Sequence, residues 1–171
     1  EELVKTKNIG VIKMEVYRNK EPENNFLHRV RKLANQHNIV LVFDECTSGF
    51  RKNYGGLHKL YDVEPDVAMF GKALGNGYAV TAVLGKREVM QAAEKSFISS
   101  TFWTERIGSS AALETLKAMD KEKSWEKITS TGESVNQEWL KLSQEFELPI
   151  TISGLAALTT FTFKSDNALA Y

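Results

Sequence analysis

A single cysteine, Cys46, among 171 residues excludes an intramolecular disulfide and any metal site built from several thiolates, and it suits a reducing compartment. Net charge is equally absent. The chain's 22 Lys and Arg balance 22 Asp and Glu, so no strongly basic face is offered to nucleic acid or to an anionic membrane. No apolar run approaches the roughly 20 residues needed to cross a bilayer, and no charged-then-apolar leader is read at the start. Metal-ligand spacing is missing too: His28, His37 and His58 match no such pattern, and His37 reads as the end of a helix. These absences predict a soluble, cytoplasmic protein with no metal centre and no nucleic-acid or membrane partner.

What the sequence does have is apolar content. At 42% hydrophobic, the chain can bury a substantial core as one domain, or as one domain and part of another. Its ends are less ordinary. Glu1 is not an initiator methionine and strand-like residues begin by Ile9, while residues 167–171 follow another strand-like run with no closing element. The chain therefore reads as a fragment of a longer polypeptide.

Residues 9–16 are apolar and partly β-branched, which predicts a buried strand. Phe26, Leu27, Val30, Leu33, Ala34 and His37 then fall on one stripe of a helix. Residues 39–43 form an uninterrupted apolar run ending in Asp44-Glu45, as in a parallel strand covered on both faces, and strand–helix–strand builds such a sheet. Residues 66–70 and 79–84 read as further strands, separated by a tight turn at Gly71, Gly75 and Gly77. Two helices follow. The first carries Trp103, Ile107, Ala111, Ala112, Leu116 and Met119 on its apolar face. The second carries Ile128, Val135, Trp139, Leu142 and Phe146, and Pro149 ends its region. Residues 150–153 and 158–163 read as strands of a separate small sheet. A domain boundary is expected at residues 121–124, where charge is dense and strand–helix alternation stops.

Three places carry possible chemistry. Asp44 ends a buried strand, where open α/β sheets bind ligands; it is a ligand group or a cap for the next loop. Lys72, in Phe70-Gly-Lys72-Ala-Leu-Gly-Asn-Gly77, stands between a strand end and a glycine-rich turn that lets a ligand approach; otherwise it is a solvated lysine. Ser99-Ser100-Thr101-Phe-Trp103 precedes a helix, where hydroxyls and amides suit a phosphate or simply cap the helix.

Taken together, these motifs resemble those of class III aminotransferases, whose relatives include glutamate-1-semialdehyde aminomutase. Val42-Phe-Asp44-Glu-Cys-Thr-Ser-Gly-Phe-Arg51 is similar to the family's Asp-Glu motif with its Gly-Phe-Arg turn. Residues 65–77 are similar to its lysine motif, and residues 100–108 to the segment with its phosphate-binding threonine. The resemblance runs from about Ile9 to the end of the chain. It implies an α/β fold, part of the large domain of the fold type I transferases that use pyridoxal phosphate. Residues 1–122 would form the second half of that domain, with a mostly parallel sheet, and residues 123–171 the beginning of a small α+β C-terminal domain.

The resemblance also implies roles. Lys72 would carry pyridoxal 5'-phosphate as a Schiff base and act as general acid–base. Asp44 would keep the ring nitrogen protonated, so that the ring can serve as an electron sink. Thr101 would bind the phosphate, from the partner subunit of a homodimer with shared active sites. The substrate would be a small amine or carbonyl compound, and the reaction transamination or 2,1-aminomutation. Cys46 stands where the family has valine against the ring, and Thr47 where many members have glutamine near the ring hydroxyl. The family's phosphate loop lies upstream of the matched segment and its C-terminal substrate residues beyond it, so this stretch alone would be a poor catalyst. Two rival readings stand beside this one. One is a truncated, non-catalytic homologue serving as an interaction module. The other is a nucleotide hydrolase with Asp44-Glu45 as its magnesium and water pair, although residues 1–38 contain no Gly-x-x-x-x-Gly-Lys-Ser/Thr loop.

Overall fold

A computed structural model of the chain describes residues 1–101 and 104–164. Its centre is a four-stranded sheet in the order β1-β2-β3-β4, formed by Val11–Met14, Val40–Asp44, Val67–Phe70 and Ala82–Gly85. β1, β2 and β3 run parallel and β4 returns antiparallel to β3. The crossover between β1 and β2 carries helix α2 (Phe26–Gln36), which follows a short N-terminal helix α1 (Glu2–Thr6). Leu27 and Ala34 of α2 are buried, as its apolar stripe predicts, and His37 is its C-cap.

One face of the sheet is the core. Leu41 and Phe43 are fully buried against Leu27, Ala34, Leu57 and Val63. Further along the same face, Ala68 and Phe70 pack with Phe50, Leu74, Ala112, Leu116 and Met119. The other face is open. Burial along β2 alternates, and Val11 and Val83 on the open side are 56% and 49% exposed. The apolar run at residues 39–43 predicts cover on both faces; among the described residues cover exists on one.

Asp66 ties the layers together. Its carboxylate accepts from the Leu41 amide at 2.8 Å, from Arg31 of α2 at 2.8 Å and from Lys86, just past β4, at 2.7 Å.

After β4 come α3 (Arg87–Met90), α4 (Ile107–Glu122) and α5 (Ser124–Glu145), with the helical run broken at Lys123, whose φ is 50°. Trp103, expected on the first of the long helices, lies outside the described residues, and α4 starts at Ile107. β5 (Ile150–Ser153) and β6 (Thr160–Phe163) form the expected separate antiparallel pair. The face that α5 buries differs from its expected stripe. Val135, Leu142 and Phe146 are 36%, 44% and 61% exposed, whereas Gly132 is buried. The reason is close backbone contact: a Cβ at Gly132 would lie 1.8 Å from the Ala156 carbonyl oxygen. The small and polar side of α5 therefore faces the turn Ala156–Leu158, and Trp139 stacks edge-on to Phe161 at 5.0 Å.

Candidate functional site

The carboxyl ends of β2 and β3 lie side by side because the two strands are parallel, with Asp44 opposite Met69. Loops leaving those ends must share one edge of the sheet, where open α/β sheets bind ligands. Asp44 closes β2 on the open face. Its Oδ1 accepts from the Cys46 amide at 3.2 Å, and its Oδ2 meets Lys13 Nζ at 2.9 Å. The hydrogen bond from Lys13 is the main cause that holds the Asp44 carboxyl below the usual carboxylate range, against a smaller upward push from burial. Asp44 is thus an ionised acceptor with room for one further donor.

Lys72 follows β3 by way of Gly71. Its backbone sits in the left-handed region at φ 44°, a conformation that a side chain adopts only when the surroundings impose it. The turn that imposes it is tight: a Cβ at Gly75 would come within 2.1 Å of the Tyr78 carbonyl oxygen, and Gly77 has φ 104°. Lys72 Nζ donates to Thr47 Oγ1 at 2.7 Å. Lys72 also lines a cleft of about 490 Å³ with Phe50, Arg51, Asn76, Gly77 and Met119. A larger cleft of about 990 Å³ lies between β3, β4 and α4; its walls are mostly apolar, and neither Asp44 nor Lys72 reaches it.

Cys46 stands between the two charged groups. Burial pushes its thiol up, Asp44 adds to that shift, and Lys13 and Lys72 oppose it more weakly, so the sulfur stays protonated at neutral pH. A Cβ at Gly71 would meet Thr81 Cγ2 at 3.3 Å and Cys46 Sγ at 3.5 Å, so the turn that carries Lys72 starts directly against the thiol. Asp44, Cys46, Thr47 and Lys72 are therefore one group of neighbours, as the motif order suggests. Thr101 occupies an exposed turn ahead of α4. It is not the cap of that helix: the Ile107 and Gly108 amides donate to the Glu105 carboxylate, at 2.7 and 3.3 Å.

Two features of the site escape sequence reasoning. Lys13 is one, and the only sign of it in the sequence is a charge inside an otherwise apolar strand. Glu45 is the other. It is fully buried, and its Oε1 accepts both the amide and Nδ1 of His58 at 2.9 Å while Ser48 binds its Oε2. Burial pushes this carboxyl up. The His58 ring, Ser48 and the backbone amides outweigh burial and leave it lowered. A glutamate so enclosed cannot orient water on a nucleotide, which removes the reading of Asp44-Glu45 as a hydrolase pair.

The family model described as "Aminotransferase class-III" matches residues 19–170 of the chain. A 3-aminobutyryl-CoA aminotransferase of Cloacimonas acidaminovorans is 40% identical over 151 residues, covering 88% of this chain and 36% of that protein. A glutamate-1-semialdehyde 2,1-aminomutase of Sulfurihydrogenibium sp. is 28% identical, with the same shares of 88% and 36%. The chain thus spans little more than a third of these curated relatives. Among solved structures, the PLP internal aldimine form of the FumI protein of Sphingopyxis sp. superposes with a TM-score of 0.89 at 24% identity. That match covers 98% of this chain and 42% of the other, and it establishes that the two share one α/β fold.

Proposed function

Because the chain belongs to the class III aminotransferase family, we propose that it is the part of an amino-group transferase that holds pyridoxal 5'-phosphate through Asp44 and Lys72. The observation that carries this reading is the pairing of an ionised carboxylate and a primary amine at adjacent parallel strand ends, the amine on a constrained left-handed residue. The residues fit the group. Asp44 has acceptor capacity left for a ring nitrogen, and Cys46 is small enough to lie against a ring. Gly71 brings the start of the Lys72 turn against Cys46. Bound there, the cofactor would supply a carbonyl that exchanges with amines and a ring that stores electrons from the substrate's α-carbon.

The chain's own residues would do the rest. Asp44 would accept the ring-nitrogen hydrogen bond and balance its charge. Lys72 Nζ would take a proton from the substrate carbon and return it to a neighbouring position. Thr47, through its bond to Nζ, would hold the amine while it is free. Thr101, exposed in its turn, would hydrogen-bond the phosphate of the partner's site in a homodimer. Residues 1–122 would belong to the cofactor-binding domain and residues 123–171 to the small domain, with the break in the helical run at Lys123 between them. The apolar open face of the sheet supports the reading as part of a longer polypeptide, which would cover it. No described helix is long and apolar enough to cross a membrane, and the proposed setting is the cytoplasm. The substrate would be a small amine or carbonyl compound, taken through transamination or through 2,1-aminomutation.

Borohydride reduction, proteolysis and mass spectrometry test the assignment. A phosphopyridoxyl group on the peptide containing Lys72 is the expected result. Its absence from protein purified with the cofactor present would sink the reading.

A further inference from the structure

β1 is apolar except for one residue. Lys13 lies in register with Val42, and Val42 shares its face of β2 with Asp44, since alternate residues of a strand point the same way. The lysine therefore lies along the open face of the sheet and reaches Asp44 Oδ2 at 2.9 Å. Asp44 Oδ1 is already occupied by the Cys46 amide. Two donors from different elements thus fix both oxygens of one carboxylate. As a contribution to stability this ion pair counts for little, because Lys13 is 55% exposed. Its effect on a proton held beside the same carboxylate is a separate quantity, since a cation in contact makes the carboxylate a weaker base.

This inference rests on the proposed cofactor role of Asp44 and deepens it. We propose that Lys13 is a positioning residue for Asp44: its ammonium fixes the carboxylate and keeps the shared proton on the cofactor's ring nitrogen rather than on the carboxyl oxygen. The titratable groups around Asp44 are Lys13 from β1, the neutral Cys46 thiol from the loop after β2, and Lys72 from the turn after β3, with Glu15 acting on Lys13. Among the described residues Lys13 is the cation in direct contact with a carboxylate oxygen, and the Cys46 thiol adds a weaker hydrogen bond to the same group. The mutual shifts agree in direction: Lys13 lowers Asp44, and Asp44 raises Lys13. A lysine here also defines the carboxylate plane, and so the direction from which a ring nitrogen can approach.

The test uses purified holoprotein loaded with pyridoxal phosphate labelled with nitrogen-15 in the ring. The nitrogen resonance is read in the wild type, in Lys13→Met and in Lys13→Arg, after borohydride mapping has located the cofactor. The expected pattern is a pyridinium resonance in the wild type, displacement toward neutral pyridine in Lys13→Met, and recovery in Lys13→Arg. In cofactor-free protein, the Asp44 carboxyl carbon should titrate at higher pH in Lys13→Met than in the wild type. An unmoved nitrogen resonance in Lys13→Met, with the cofactor on Lys72, would overturn this inference alone. No adduct on Lys72 in the wild type would overturn the proposed function and this inference together. Should Lys13→Met fail to fold, Lys13→Gln, which keeps a donor but loses the charge, decides: a resonance displaced toward neutral pyridine supports the inference, and a wild-type resonance in folded Lys13→Gln overturns it.

Discussion

At Glu45 the carboxylate accepts the amide and ring Nδ1 of His58 on one oxygen and Ser48 on the other, in a site without solvent. An ionised glutamate donates nothing, so His58 must carry its proton on Nδ1. Replacing Glu45 with Gln removes the charge that strengthens all three bonds and forces the Ser48 hydroxyl to turn and accept from the new NH2 group. We expect Glu45→Gln to lose about 3 kcal/mol of stability. Ser48→Ala, which leaves one lone pair of a charged acceptor unfilled, should lose about 1.5 kcal/mol. Urea unfolding of the two variants checks both, and a Glu45→Gln protein as stable as the wild type would refute the assignment. Asp44 and Glu45 are adjacent in sequence and fall on opposite sides of the chain. Period-two alternation makes that separation legible, but which of the two faces water depends on where α2 and the turn Leu57–Tyr61 come to rest.

Helix α5 was legible in length and position, from its apolar spacing and from Pro149 beyond it. Its orientation was not, because the residue that decides it is Gly132, which contributes nothing to an apolar stripe. Intrinsic helix propensity favours alanine over glycine by about 1 kcal/mol in a helix interior. Here the Ala156 carbonyl oxygen occupies the space a Cβ would need. Overpacking against backbone typically destabilises by about 1–3 kcal/mol. The contact would be with backbone that cannot turn aside, which places the cost at the upper end of that range, and the net expectation for Gly132→Ala is destabilisation by up to about 2 kcal/mol, read as a lowered melting temperature. A rise would show that α5 does not rest on this turn. The same logic applies at the start of α4. The serines and threonine ahead of it resemble a cap, yet Glu105 fills that role, since α4 begins only at Ile107.

Across the whole molecule, Glu45, Asp66 and Asp44 all hold their carboxyls below the usual range. For Asp66 burial pushes upward, and the Leu41 amide, Lys86 and Arg31 together outweigh it. Each group binds its proton more weakly folded than unfolded, so the stability it lends is complete above about pH 5 and fades as pH falls through the acid range. Stability should therefore drop steeply below about pH 4.5. Asp66→Asn should lose about 2 kcal/mol at neutral pH and show a flatter acid limb. Melting curves at several pH values read both effects, and a parallel shift at every pH would exclude the carboxylate as the cause. Periodicity and motif spacing are local properties, and they were enough to read the alternation of strands and helices, the parallel strands and the strand ends that carry Asp44 and Lys72. That Lys13 reaches Asp44, that Glu45 is buried on His58, that Thr47 binds the lysine amine, and which side of α5 is covered became visible with the folded chain. Those contacts join residues distant in the chain, and strand register and backbone proximity set them rather than anything a local pattern encodes.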